Sequence, residues 1–245
     1  MTRFSAAALA LVALFVAGCA SVARDPIPEL RRQLKDYDMF SIVLEDMDET
    51  GTFVDTYSHQ YKLIFANVDA AADAAPELRE EVTDWIEVSR ATYRRYAKCL
   101  GMTIAADGDA LGDGALCQPA GYRYVGDARY GRWQTGANGE TFWSFYGKYA
   151  LMSMMFDSLR SPVGRSSWDG YRRSRRSGQP YFGPTGREFG TGGTFTRTTN
   201  RSFYDRQMSR QRSQQRSFAD KVGNRTRRSN MSGVRNRSGG RRGGK

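Results

Sequence analysis

The chain has few of the residues that build metal and nucleophilic sites, and it has no long hydrophobic run. Its 245 residues include three cysteines, one histidine (His59) and seven prolines. The longest apolar run, Phe4 to Ala17, has about 14 residues, whereas a bilayer-spanning helix needs roughly 20. Glycine is plentiful, with 26 residues, but it follows no collagen-like period. The sequence is therefore neither fibrous nor that of a multi-span membrane protein.

Acidic and aliphatic residues become scarce after residue 159. Residues 160–245 hold 22 basic and four acidic side chains, whereas residues 1–159 hold 15 basic and 22 acidic ones. Leu, Ile and Val nearly vanish after Val163. Since little apolar surface remains to offset the entropy of ordering, we expect residues 160–245 to form a basic, mostly disordered tail. Aromatic residues in 168–203 favour local packing on the body, and residues 202–228 favour a helix on an anionic surface.

The N-terminal segment has the features of a targeting signal. A short positive start, Met1-Thr2-Arg3, precedes the apolar run, and Val16-Ala17-Gly18-Cys19 follows directly. This ending resembles a bacterial lipobox. The resemblance implies that residues 1–18 are a signal peptide and that Cys19 becomes the diacylated, palmitate-type anchor of the mature chain. Ala20 and Ser21 then imply the periplasmic side of an outer membrane, with residues 19–28 as a tether.

Two cysteines remain once Cys19 is acylated. Because disulfides persist in an oxidising compartment, we predict a bridge between Cys99 and Cys117. One alternative is a cysteine nucleophile activated by His59. A zinc site is disfavoured, because two cysteines and one histidine leave a fourth ligand without a recognisable spacing. For His59 itself, we expect a hydrogen-bonded, partly buried side chain.

The body is predicted to be a small single α+β domain over residues 29–159. Alternating apolar residues in 39–47 and 53–65 predict a β-hairpin that turns at Glu49-Thr50-Gly51. Apolar residues at helical spacing predict two main helices. The expected elements are a short helix at 29–37, the hairpin, a helix at 73–100, short strands within 122–133 and a helix at 141–159.

Acidic residues offer two alternatives for chemistry. Asp46-Met47-Asp48-Glu49-Thr50 resembles the nucleophile loop of the haloacid dehalogenase phosphatases, which implies that Asp46 is the nucleophile and Asp48 an acid/base near magnesium. No later segment completes such a site, so a hairpin with solvated carboxylates is preferred. Calcium binding by the same residues, or by Asp107, Asp109 and Asp113, lacks a closing bidentate ligand.

The basic tail is the strongest functional signal. Arginine outnumbers lysine 20 to 2 in residues 160–245, and its guanidinium suits bidentate contact with phosphate. We expect a non-catalytic envelope protein without cofactor or metal. Its tail would contact anionic phospholipid, lipopolysaccharide or cell-wall polymer, and its body could dock an envelope protein. Export disfavours nucleic acid, which becomes the first alternative if the chain stays inside. The expected contact residues are Arg172, Arg173, Arg175, Arg176, Arg225, Arg227, Arg228, Arg241 and Arg242.

Overall fold

A computed structural model describes residues 25–51, 55–67, 75–109 and 117–235. The predicted signal peptide, Cys19, Arg241 and Arg242 lie outside the described residues. The structure contains helices and antiparallel sheet, so the predicted α+β class is confirmed. The chain divides into one compact unit that ends at Thr199 and a second that begins at Asn200.

A long hairpin forms the centre of the main sheet. Strands β1 (Met39–Thr50) and β2 (Thr56–Ala66) pair antiparallel from Met39↔Ala66 to Thr50↔Thr56, so the predicted hairpin is confirmed. Its turn starts later than expected, because Glu49 and Thr50 are still paired residues. The strands of this sheet, in the order β3-β2-β1-β5-β6 with β4 also paired to β2, are β1 (Met39–Thr50), β2 (Thr56–Ala66), β3 (Arg79–Val82), β4 (Ile86–Val88), β5 (Met102–Ala106) and β6 (Gln118–Pro119).

Two helices accompany this sheet. Helix α1 (Ile27–Leu34) buries Ile27, Leu30 and Leu34, as its apolar spacing predicts. Helix α2 (Arg90–Tyr96) begins at Ser89, whose hydroxyl accepts a hydrogen bond from the Thr92 amide at 3.0 Å. The helix predicted over residues 73–100 is wrong for residues 79–82 and 86–88, which are the strands β3 and β4, and only residues 90–96 of that span are helical. The open edge of β2 offers backbone donors and acceptors to this segment, and that pairing outweighs its helical apolar spacing.

A second, two-stranded sheet replaces the other predicted helix. Strands β7 (Gly131–Thr135) and β8 (Thr141–Phe145) pair across a turn, and only the short helix α3 (Met152–Met155) follows. The helix predicted over residues 141–159 is therefore wrong. The indoles of Trp133 and Trp143 are directly opposite each other on the two strands and make an edge-to-face contact with centroids 5.3 Å apart. Aromatic cross-strand pairs of this kind stabilise an antiparallel sheet, which explains why the segment forms a strand and not a helix.

The compact unit continues well beyond residue 159. Helices α4 (Arg165–Arg176) and α5 (Thr194–Thr199) lie in the segment predicted to be mostly disordered. Trp168, Tyr171, Tyr181 and Phe189 are buried. The rings of the last three lie 5.6 to 6.1 Å from that of buried Tyr122. Aromatic side chains thus supply the apolar surface that the missing aliphatic residues do not, and the expected local packing of this region is confirmed.

The second unit contains one helix, α6 (Arg201–Arg235). It carries ten basic and two acidic side chains. No helix in the described part of the chain combines the length and hydropathy that a bilayer crossing requires.

Candidate anion-binding site

Helix α4 has a well-defined end, and this end positions its arginines. Gly178 adopts φ +66° just after the helix. Its amide donates to the Arg175 carbonyl at 3.1 Å, while the Gln179 amide donates to the Ser174 carbonyl at 2.9 Å. This pair of bonds is a Schellman motif, which satisfies the last carbonyls of the helix. The motif stops the helix one residue after Arg176 and leaves the cationic side chains of its last turn at the surface.

Trp168 fixes the inner side of the same helix. Its indole Nε1 donates a hydrogen bond to the Val125 carbonyl at 2.7 Å. Gly126 lies against the indole: a Cβ atom at this position would be 2.2 Å from the ring, and its φ of +82° also favours glycine. The Arg172 guanidinium carbon lies 4.6 Å from the centroid of the Trp168 ring, and that of Arg165 lies 4.8 Å from it. The indole therefore holds two arginines by cation–π contact.

These elements line an open cleft of about 460 Å³, which we call the arginine cleft. Four guanidinium groups approach it, three from α4 and one, Arg123, from the segment before β7. Its remaining surface is largely apolar and backbone. The lining residues are Arg123, Val125, Gly126, Asp127, Trp168, Tyr171, Arg172, Arg175 and Arg176.

Arg123 is held in place by two carboxylates. Its Nη1 lies 2.8 Å from Asp109 Oδ1, and its Nη2 lies 3.5 Å from Asp107 Oδ2. Nearby carboxylates raise the pKa of Arg123 although burial opposes this. Arg175 also approaches Asp109, with 3.7 Å between Nη2 and Oδ1. Because Arg123 and Arg175 are already paired with aspartates, they form a fixed part of the cleft lining and add little net positive charge to it.

A smaller cleft of about 230 Å³ lies on the other side of Arg175 and Arg176. It is lined by Arg31 of α1 and by Asp109, among others, and the Arg31 guanidinium donates to the Asp109 carbonyl. The last turn of α4 thus stands between two adjoining depressions. Five arginines surround this region, against two aspartates, Asp107 and Asp109, that pair with them.

The structure brings together only some of the arginines expected to act as interchangeable contacts. Arg172, Arg175 and Arg176 line the arginine cleft, whereas Arg173 is exposed on α4 outside it. Arg225 is exposed on α6, and Arg227 and Arg228 are also on α6, where their side chains are outside the described ones. Sequence reasoning missed Arg123, whose only signal is its place between Tyr122 and Tyr124.

The predicted disulfide is confirmed. Cys99 and Cys117 are bridged, with their Cα atoms 5.5 Å apart, and both are buried. The bridge joins the segment after α2 to the start of β6. The Cys117 carbonyl also accepts a hydrogen bond from the Tyr181 amide at 3.3 Å, so the bridge reaches the segment that follows α4.

Asp46 and Asp48 are strand residues and not turn residues. They pair with Gln60 and Ser58 of β2, and Asp46 is buried next to a β-bulge. The Asp46 carboxylate accepts a hydrogen bond from the Met47 amide at 2.8 Å. In the phosphatase loop that this segment resembles, the aspartates would follow a strand and not lie within it. Their placement here therefore does not support the hydrolase alternative.

The second acidic group is also engaged. Asp107 and Asp109 face Arg123, while Asp113 is outside the described residues. Within the described ranges, no three acidic, histidine or cysteine side chains are grouped as a metal site would require.

His59 is fully buried among tyrosines. Its Nδ1 lies 2.8 Å from the Tyr61 hydroxyl, and its ring stacks on Tyr93 at a centroid distance of 5.4 Å. Its Nε2 has no hydrogen-bond partner among the described residues. Because burial disfavours the charged imidazolium, it lowers the pKa of His59 to about 4. The histidine is thus part of the core, more deeply than the sequence predicts.

Stability is expected to fall as the pH is lowered from about 6.5 to about 4. Across this range His59 is protonated in the unfolded chain but not in the folded chain. This difference lowers the free energy of unfolding by up to about 3 kcal/mol. Urea denaturation at several pH values should show the loss. The variant His59→Gln, whatever its overall stability, should show a correspondingly shallower pH slope. Parallel pH profiles for the two proteins would contradict this assignment.

No family model, curated protein or solved structure matches this chain. The functional argument therefore depends on the geometry and charge described above.

Proposed function

We propose that this chain is a non-catalytic, lipid-anchored envelope protein whose arginine-rich helices bind the anionic surface of a membrane. The observation that carries the proposal is the concentration of positive charge on α4 and α6. Helix α4 has five arginines and one aspartate, and α6 has ten basic and two acidic side chains. Near an anionic leaflet, each such charge contributes about 1 kcal/mol within a Debye length.

The lipid anchor follows from the lipobox resemblance at Cys19. Acyl chains on this residue would hold the protein at a bilayer, because two chains give stable attachment where one is marginal. An anchored protein meets a high local concentration of lipid head groups, so a modest intrinsic affinity of its arginines is sufficient for stable contact.

Helix α6 favours a lipid surface over a cell-wall polymer. Met208, Phe218 and Val222 are 49%, 70% and 44% exposed. Together with Tyr204 they fall within about 80° of the helix circumference, at 100° per residue. Basic helices whose apolar residues share one face lie in membrane interfaces, and α6 carries a sparse apolar stripe of this kind. A purely polyanionic polymer offers no apolar surface that these side chains could contact.

Neutralising α6 is expected to weaken binding to anionic vesicles at least about tenfold. The variant Arg210→Gln/Arg212→Gln/Arg216→Gln removes three charges of about 1 kcal/mol each, so even half of the full effect corresponds to about tenfold. Parent and variants would be compared as full-length chains carrying Cys19→Ser, which removes the acyl anchor, by co-sedimentation with phosphatidylglycerol-containing vesicles and with phosphatidylcholine vesicles at rising salt. Binding of the parent should require the anionic lipid and fall with salt.

The matched control keeps the charges and changes their shape. Arg210→Lys/Arg212→Lys/Arg216→Lys should bind vesicles as the parent does, because these residues act as charges on an open helix. Equal, salt-insensitive binding of the parent and the glutamine variant would reject the proposal. Mass spectrometry of the mature N-terminal peptide checks the anchor; an intact, unmodified Met1 to Cys19 peptide would reject that part.

A further inference from the structure

We infer that the arginine cleft is a shaped receptor for a phosphomonoester, distinct in kind from the diffuse charge of α6. The inference deepens the proposed function and rests on it, since it names the ligand chemistry of α4, one of the two arginine-rich helices. Three features carry it: arginines held in fixed positions, an excess of positive charge at the cleft, and an apolar wall larger than a phosphate group requires.

The first feature is pre-organisation. Trp168 is fixed by its hydrogen bond to the Val125 carbonyl and by Gly126, and it in turn holds Arg172 by a stacking contact at 4.6 Å. Arg123 is fixed from the other side by Asp107 and Asp109. A guanidinium that is already held loses less rotamer freedom when it binds a ligand, so more of its interaction energy appears as affinity.

The second feature is the charge that remains. Asp107 and Asp109 offset two of the cleft's arginines, Arg123 and Arg175, while Asp127 is engaged by Arg129 at 2.7 Å. Arg176 makes no ion pair with any carboxylate that the structure describes, and Arg172 lies over the neutral ring of Trp168. Two guanidinium charges are therefore available at the cleft.

This charge matches the terminal phosphate of a monoester. Such a group carries about −1.5 to −2 charge near pH 7 and presents three acceptor oxygens, enough for paired contacts from more than one guanidinium. A phosphodiester in the middle of a phospholipid head group carries a single charge and fewer exposed oxygens. The cleft should therefore prefer the monoester, whereas an array of open charges such as α6 should distinguish mainly by net charge.

The third feature concerns the group that carries the phosphate. At about 460 Å³ the cleft exceeds the volume of one phosphate, and Val125, Trp168 and Tyr171 line it beside the arginines. The additional room suits the sugar or glycerol unit to which the phosphate is attached. A phosphorylated lipid head group and a soluble sugar phosphate share this chemistry, and the test below separates them.

The test uses calorimetric titration of the full-length protein with glucose 1-phosphate, and with dimethyl phosphate as the diester probe. We expect saturable one-to-one binding of the monoester, with the diester at least about tenfold weaker, which is the size of one charge-assisted hydrogen bond. The variant Arg172→Lys/Arg176→Lys keeps the charge but removes the paired geometry, and it should bind the monoester about tenfold more weakly. Arg94→Lys, on the exposed side of α2, is the matched control and should bind as the parent does.

The outcomes separate this inference from the proposed function. Vesicle binding without saturable binding of glucose 1-phosphate would overturn the receptor and leave the proposed function standing. Monoester binding without any binding to anionic vesicles would reject the proposed function instead. Equal monoester affinity in the parent and in Arg172→Lys/Arg176→Lys, with unchanged circular dichroism, would also overturn the shaped site. Phosphatidic acid vesicles that displace glucose 1-phosphate would support a lipid-borne ligand, and failure to displace it would support a soluble one.

Discussion

A chain truncated after Leu159 is expected not to fold. The truncation removes Trp168, Tyr171, Tyr181 and Phe189, all of which are buried. Loss of one large buried aromatic side chain typically costs about 3 to 5 kcal/mol of net stability. Four such losses together are comparable with the entire stability of a typical domain, which is about 5 to 15 kcal/mol.

The measurement is a thermal or urea denaturation of two truncated chains. The chain ending at Leu159 should show no cooperative transition and no near-ultraviolet circular dichroism, since Tyr122 loses all three of its aromatic neighbours from beyond residue 160. The control ends at Thr199, where the compact unit ends, and should melt cooperatively. A cooperative melt of the shorter chain would instead place the domain boundary at residue 159.

Loss of the disulfide is expected to lower the free energy of unfolding by about 3 to 5 kcal/mol. The bridge joins residues 18 apart in sequence, and the closure of a loop of this length accounts for about 3 kcal/mol in the unfolded state. The buried position of both cysteines adds native packing to that term. For a chain of this size the melting temperature should fall by roughly 6 to 20 °C.

Reduction and mutation provide two independent measurements of the same loss. The variant Cys99→Ala/Cys117→Ala should melt close to the reduced parent. Added reductant is the control: it should shift the melting temperature of the parent and leave that of the double variant unchanged. A parent whose melting temperature does not respond to full reduction, confirmed by thiol counting, would contradict a stabilising bridge.

The sequence predicts the hairpin well because strand periodicity is local and exact. Alternation in residues 39–47 and 53–65 is a period of two, and the structure pairs residues 39–50 with residues 56–66, with one bulge between Leu44 and Asp46. The predicted helices failed because their apolar spacing was compatible with two structures. The free edge of β2 pairs with residues 79–82 and 86–88, which lie 14 to 31 positions after their partners, so their own sequence does not show this partner. Residues 141–145 pair instead with the neighbouring residues 131–135, and the pair of Trp133 with Trp143 outweighs the helical spacing of the later segment.

The site was predictable only in its composition. The abundance of arginine after residue 159 indicates anion binding, but it does not show that Arg172 is seated on an indole while Arg173, its neighbour, is exposed. Arg123 was missed because it lies 49 residues before Arg172 and is isolated among aromatic residues. Its role arises only when Asp107 and Asp109 turn it toward α4.

The position of Gly126 has a consequence for how sequence variation at this surface should be interpreted. Because Gly126 has no side chain, the Trp168 indole can lie directly against it, and the indole in turn positions the Arg172 guanidinium. Mutational scans that score ligand capture should therefore mark position 126 as sensitive, even though glycine offers a ligand no functional group. If substitutions of the neighbouring exposed arginines are tolerated and substitutions of Gly126 are not, the ligand is bound by a shaped site and not by diffuse surface charge.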